Sequence, residues 1–280
     1  MWAIRLSIRE RPTMIQLTRR HTASAIAGLA ALSSLAACSG ADISINGKDG
    51  VPLSEVEIAG PAPSEVVLAS GDTVILTEGD TFALKVEGSN TDSLRFVRDG
   101  ETIGVTREKG WNGNSDATIR ITMPAPKEVT IAGSGTIKAA SLASTSEISI
   151  GGSGTVEFGT IAAEKLGINI GGSGKVSGAG TVRTLEISIG GSGDVEMPGL
   201  KADTAEIAIG GAGDVAFASD GEVTASIAGA GDINVTGKAK CTVSAFGSGS
   251  LNCAEGTATA AAAPTPPAAP QAPVAAEPAE

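Results

Sequence analysis

The chain of 280 residues contains 38 glycines and only 2% aromatic residues, so its core must consist of small and branched aliphatic side chains. With 41% hydrophobic and 18% charged residues, it is too apolar and too weakly charged to be disordered throughout. The formal charge of −11 argues against a nucleic-acid partner, because binding a phosphate backbone requires a basic surface.

Residues 1–37 have the pattern of an export signal. A pair of arginines precedes an apolar stretch over residues 23–36, which matches the hydrophobic region of a signal peptide and is too short to span a bilayer. The stretch leads into Cys38, and this order resembles the bacterial lipoprotein signal, in which the cysteine is acylated and becomes the mature N-terminus. The resemblance implies a lipid anchor at Cys38 and, with Ser39 next to it, an outer-membrane lipoprotein of a Gram-negative bacterium. A plain secretory signal with an incidental cysteine is the alternative.

Loss of residues 1–37 removes His21, the only histidine, together with five basic residues and one acidic residue. The mature chain then has 15 basic and 30 acidic residues, a formal charge of −15. A serine nucleophile would have no histidine to accept its proton, which excludes the usual catalytic triad. We therefore expect a non-enzymatic protein without a cofactor.

The composition changes along the chain and divides it into segments. Strand-like runs such as residues 73–76 and 82–86 are separated by Gly-Asp and Asp-Gly turns and show no regular repeat. We expect them to form degenerate coils or a small sheet over one end of the repetitive part, because an open sheet end invites edge pairing. The predicted segments are the signal peptide 1–37, a lipidated N-terminus and linker 38–52, an irregular β part 53–127, a repetitive part 128–254 and an Ala/Pro-rich disordered tail 255–280.

A glycine turn repeats through the second half of the chain. Seven times an aliphatic strand enters the turn and another leaves it, as in Ile150-Gly-Gly-Ser-Gly-Thr-Val156. A fixed period with a strand on each side of a turn predicts an all-β parallel β-helix of about seven coils. The last glycine of each turn recurs every 18 to 20 residues, at Gly135, Gly154, Gly174, Gly193, Gly213, Gly231 and Gly249.

The two-residue period of a strand separates the inward from the outward positions. Positions six and four before the last glycine and two after it are aliphatic in almost every copy, and we expect them to form the core. Five before it, the residues are small and mostly polar, and we expect them to form an outward binding face. That column contains Thr130, Ser149, Asn169, Ser188, Ala208, Ser226 and Ser244.

These features together resemble the bacterial head GIN domain family of auto-transporter adhesins. The resemblance is carried by the lipoprotein cysteine, the strand Ile119-Arg120-Ile121-Thr122-Met123-Pro124 and the Gly-Ser-Gly turns in register, and it covers about residues 51–253. It implies a right-handed parallel β-helix without a recognised catalytic set, and a role in adhesion at the cell surface.

Three aspartates follow the turn glycine in successive copies. Asp194, Asp214 and Asp232 would form a row of carboxylates, a spacing at which a cation can bind or like charges raise one another's pKa. A solvated acidic edge is the simpler interpretation. The row is also the only basis for an alternative function, a carbohydrate-active enzyme.

Two cysteines and one tryptophan complete the candidate residues. Cys241 and Cys253 both have inward parity, and in an oxidising compartment they form either a disulfide across the last coil or two small core residues. Trp111 is interpreted as a packing anchor rather than a sugar-stacking surface. The predicted function is a cell-envelope adhesin or polymer-binding β-helix with a polysaccharide or surface protein as ligand, self-association as an option and a purely structural role as a further alternative.

Overall fold

The computed structural model describes residues 44–254 and the backbone of residues 257–260. Within that part, the helical elements are two short 3₁₀ turns, Leu53–Glu55 and Thr91–Ser93, and no helix could cross a membrane. All other elements are strands. In chain order they are β1 (Glu65–Leu68), β2 (Thr73–Glu78), β3 (Ala83–Gly88), β4 (Leu94–Asp99), β5 (Thr102–Arg107), β6 (Ala117–Met123), β7 (Glu128–Ile131), β8 (Thr136–Ala139), β9 (Thr145–Ile150), β10 (Thr155–Ile170), β11 (Lys175–Ile189), β12 (Asp194–Ile209), β13 (Val215–Gly229), β14 (Asp232–Thr236), β15 (Lys240–Gly247), β16 (Ser250–Cys253) and β17 (Thr257–Ala260).

Parallel pairing between successive repeats winds the chain into a β-helix. Val156 of β10 lies opposite Val176 of β11, which lies opposite Val195 of β12, so neighbouring coils are offset by one repeat. The predicted fold class is confirmed. One ladder of parallel strands stacks in the order β5, β1, β7, β9, β10, β11, β12, β13, β15 and β17. At about 4.8 Å per strand this ladder is about 40 Å long.

The aliphatic columns form one continuous core. The inward residues are buried as expected in every coil up to Ile233. The expectation is wrong for the last coil, where Ala245 is exposed and Val243 and Leu251 are only partly buried. Within the described residues, a further strand, β17, covers only residues 240–243 of this coil, so the same sequence pattern buries less surface there.

The N-terminal part does not stack in chain order. β1 lies between β5 and β7, and β2 lies between β6 and β8, so the first coil of the chain is inside the stack. β3 pairs with β6 and β4 pairs with β5 in antiparallel fashion. These two strands cover the end of the helix, which blunts the edge against pairing with another chain.

The segment before β1 packs against this covered end. Val51 and Phe96 of β4 exchange backbone hydrogen bonds of 2.9 and 2.8 Å, and Ile45 is buried. The described residues of the segment assigned to a linker, 44–52, therefore contact the β-helix.

Ser146 places a hydroxyl group in the aliphatic core. It lies opposite Leu166, is only 5% exposed, and its Oγ has no hydrogen-bond partner. Burial of an unpaired hydroxyl costs free energy because its hydrogen bond to water is lost. We predict that Ser146→Ala raises the free energy of unfolding by about 1 kcal/mol in urea denaturation. Ser226→Ala, at an exposed position, is the control and should change it little; an unchanged or lower value for Ser146→Ala would contradict the prediction.

Candidate ligand-binding face

The small outward residues form one straight column along the β-helix. Each lies directly opposite the next in the parallel register, from Thr130 to Ser244. We call this column the polar strip; it comprises Thr130, Ser149, Asn169, Ser188, Ala208, Ser226 and Ser244. Exposure differs along it, since Ser188 and Ser226 are exposed whereas Ser149 is only 8% exposed.

A glycine-rich column runs beside the polar strip and makes the face flat. It lies two residues further along each strand, at the same outward parity. Between Thr130 and Ala228, no side chain of the two columns is larger than asparagine. A large, regular ligand could therefore approach the backbone closely along several coils. The column consists of Ala132, Gly151, Gly171, Gly190, Gly210 and Ala228.

An acidic column borders the polar strip on its other side. Sequence reasoning missed it, although a column of glutamates seven residues before the last turn glycine was visible in the aligned repeats. Glu65, Glu128 and Glu147 lie opposite one another on three successive coils, and Glu186 lies opposite Glu206 further along. The face therefore carries negative charge along one edge.

The acidic column holds part of the polar strip in place. The Nδ2 of Asn169 donates a 2.9 Å hydrogen bond to Glu147, and the Oγ1 of Thr130 donates a 3.2 Å bond to Glu128. The pKa of Glu128 is raised, because partial burial and the carboxylates of Glu65 and Glu147 disfavour its charged form; the Thr130 bond opposes this shift. These hydrogen bonds reduce the rotamer freedom of the strip at its N-terminal end.

The row of aspartates is a hydrogen-bond ladder. Oδ1 of Asp194 accepts the backbone N–H of Asp214 at 3.4 Å, and Oδ1 of Asp214 accepts that of Asp232 at 3.0 Å. Oδ1 of Asp232 then accepts the N–H of Ser250 at 3.1 Å. In an earlier coil the corresponding N–H, that of Lys175, donates to a glycine carbonyl instead, at 3.0 Å. Each carboxylate thus helps to join consecutive coils.

The aspartates do not form part of a metal-binding cluster in the described chain. Within residues 44–254, no three His, Cys, Asp or Glu side chains are grouped so that they could hold a metal ion. A depression of about 190 Å³ lies instead at the covered end of the β-helix. Its lining includes Lys48, Val51, Glu55, Phe96 and Arg98.

The candidate cysteines and Trp111 have structural roles. Cys241 and Cys253 are joined in a disulfide between β15 and β16, which closes the last coil. Trp111 lies against the guanidinium group of Arg107, 5.2 Å from the ring centre, and its Nε1 is buried. The indole is therefore not displayed as a free stacking platform. Cys38, the signal segment 1–37 and the tail after residue 260 lie outside the described residues.

Fold and surface together define a class: a repetitive β-helix with a flat outer face of small side chains. The chain belongs to the family described as "putative auto-transporter adhesin, head GIN domain", whose sequence profile matches residues 62–239. At the level of this family it is an adhesin-head protein, and such a family indicates a protein of the cell surface or envelope.

Solved structures with the same fold include proteins from Bacteroides and Parabacteroides species. A Bacteroides fragilis protein described as a putative adhesin is 19% identical, with a TM-score of 0.61 over 68% of this chain and 92% of that protein. A Parabacteroides distasonis protein described as a putative lipid binding protein is 23% identical, with a TM-score of 0.54 over 71% and 94%. At these identities the likeness supports the fold alone. No curated protein is significantly similar to the chain.

Proposed function

We propose that the protein is a non-enzymatic, lipid-anchored outer-membrane adhesin whose polar strip binds an uncharged polysaccharide. The observation that carries the proposal is the in-register column of small polar side chains beside a glycine column. Together they offer a flat surface with a repeat of about 4.8 Å, which suits a ligand that is itself repetitive.

The negative charge beside the polar strip limits the class of ligand that can bind. A polyanion would meet the edge formed by Glu128, Glu147, Glu186 and Glu206 and be repelled, and the mature chain is acidic as a whole. Hydroxyl and amide side chains such as Ser188 and Asn169 can both donate to and accept from sugar hydroxyl groups. An uncharged polysaccharide satisfies both conditions.

The hydrogen bonding of the aspartates supports a non-enzymatic role. General acid and base catalysis on a glycoside requires carboxyl groups that face a substrate and can exchange protons. One carboxylate oxygen of Asp194, Asp214 and Asp232 instead accepts the backbone N–H of the next coil. These residues therefore have a structural role, the hydrogen bonding of consecutive coils, and this role accounts for their spacing of one per coil.

A substitution in the centre of the polar strip tests the proposal. The mature chain from residue 38 onward, with Cys38→Ser so that it lacks the acylation site, is screened against neutral and acidic polysaccharides, with affinity measured by calorimetry. Ser188→Arg should weaken binding to a neutral polysaccharide at least about tenfold, because a long charged side chain breaks the flat surface. Thr181→Arg is the matched control, since Thr181 is exposed on the same strand β11 but in a different part of the coil.

Two outcomes would contradict the proposal. One is the absence of binding to any neutral polysaccharide in the screen, and the other is an equal loss of affinity in Ser188→Arg and Thr181→Arg. Both variants are first compared with the parent by thermal unfolding, so that a folding defect is not taken for a binding defect.

A further inference from the structure

The two ends of the β-helix differ in how far other strands cover them. The antiparallel strands β3 and β4 cover the N-terminal end. At the other end, β16 pairs with β14 on one side and, within the described residues, has no strand on its other side. β17 covers only residues 240–243 of β15, so that, in the part of the chain that the structure describes, residues 244–247 pair with β13 alone. Unpaired N–H and C=O groups at such an edge are able to pair with another chain.

The open end lacks two of the features that protect an edge strand, charged side chains and proline. From Cys241 to Ala254 the chain contains no charged residue and no proline, although the mature chain has a formal charge of −15. Charged side chains and prolines are the common means by which proteins prevent edge pairing. Phe246 is also 53% exposed here, which makes it the most exposed of the large hydrophobic residues in the described part of the chain.

We propose that this open C-terminal end is a self-association site, at which β16 of one copy pairs with β16 of a second copy. A second copy is the partner that the charges favour: two acidic molecules repel each other over most of their surfaces, and the uncharged end is where they can approach. The contact would satisfy the edge of β16 and cover Phe246, which lies just before the turn that leads into β16.

The symmetry of the dimer determines whether the two copies of β16 pair in parallel or antiparallel fashion. Two copies related by a two-fold axis present the same strand to each other, so the pairing is antiparallel and self-complementary. The protein itself contains this kind of junction, because β3 and β4 add antiparallel to the outermost parallel strands at the other end. An outermost parallel strand of this β-helix can therefore accept an antiparallel partner.

The contact has a consequence that rests on the lipid anchor proposed above. The described chain begins at the covered end, against β4. An anchor at Cys38 would therefore place the open end about 40 Å farther from the membrane. Pairing there would join copies on facing membranes. The self-association itself does not depend on the anchor or on polysaccharide binding.

Charge placed at the open end tests the inference. The mature chain from residue 38 onward, with Cys38→Ser, is studied by sedimentation equilibrium, and a monomer–dimer equilibrium is expected. The further changes Phe246→Lys and Asn252→Lys should weaken dimerisation at least about tenfold, because like charges would meet across the two-fold axis. Ala228→Lys with Asn234→Lys is the matched control: these exposed residues lie opposite Phe246 and Asn252 one coil earlier, and the dimer should persist.

Three results would overturn the inference. The first is a chain that stays monomeric at concentrations up to about 100 µM, a range in which specific weak dimers are detected. The second is an equal effect of the two lysine pairs. The third is a monomer that dimerises only after residues 261–280 are removed, which would identify the chain's own tail as the occupant of this end. Thermal unfolding of each variant verifies that it is folded.

Discussion

Gly172→Ala is expected to destabilise the β-helix by about 3 kcal/mol, whereas Gly171→Ala, one residue earlier, should have little effect. A Cβ atom at Gly172 would lie 2.2 Å from the carbonyl oxygen of Gly152 in the preceding coil. That oxygen belongs to the backbone, so the clash can be relieved only if two coils move apart. A Cβ at Gly171 would meet nothing closer than the oxygen of Ile150 at 3.9 Å, an ordinary contact.

The comparison is measured as the change in urea or thermal unfolding of the two variants. Gly171 and Gly172 occupy the same turn, so differences in glycine flexibility between the two sites are small compared with the clash. Equal stability of the two variants would show that the coils can separate at low cost. It would also remove close backbone approach as the reason for the second glycine of each turn.

Arg107→Met is expected to destabilise the covered end by about 3–5 kcal/mol, because it leaves a buried carboxylate without its partner. Asp72 is fully buried, and Arg107 donates to both of its carboxylate oxygens, with Nε at 2.8 Å. The Oγ of Ser70 and the N–H of Ala117 also donate to Asp72, at 2.7 and 3.0 Å. One carboxylate thereby connects the start of β2, the end of β5 and the start of β6.

Two further variants separate this effect from a general loss of packing. Arg120→Met breaks an exposed ion pair with Glu87, 3.4 Å long, and should cost less than about 1 kcal/mol. The double change Arg107→Met with Asp72→Asn should recover part of the stability, since no unpaired charge remains. A double variant as unstable as Arg107→Met alone, by denaturant unfolding, would mean that the side-chain packing of Arg107 against Trp111 dominates.

The structure of the repetitive half could be predicted from the sequence, because its pattern involves residues that are close together in the chain. The alternation of Ile and Ser around each glycine turn predicted which side chains point inward, and parallel stacking brought Ser188 opposite Asn169 as the spacing required. The glutamate column obeys the same rule, and it could have been found by extending the alignment of the repeats two positions further. The limits of the pattern appear at Ala245, which lies beyond the part of β15 that β17 covers and which no other described strand covers on that side.

The strand order of the irregular N-terminal half could not be predicted from the sequence in the same way. Nothing local in residues 65–78 shows that β1 and β2 lie between later strands, because that order depends on pairing with β5 and β6, which come much later in the chain. The ion pair between Asp72 and Arg107 depends on this order, since its members are 35 residues apart.

By itself the sequence determined the class of fold, the inward and outward columns and the position of the glycine turns, since period-two alternation and a fixed repeat are properties of neighbouring residues. Only the tertiary structure decided the order of the first coils, the use of the aspartates as hydrogen-bond acceptors and the contrast between a covered and an open end. These features depend on contacts between residues far apart in the chain, and the energy of such contacts leaves no regular pattern in the sequence.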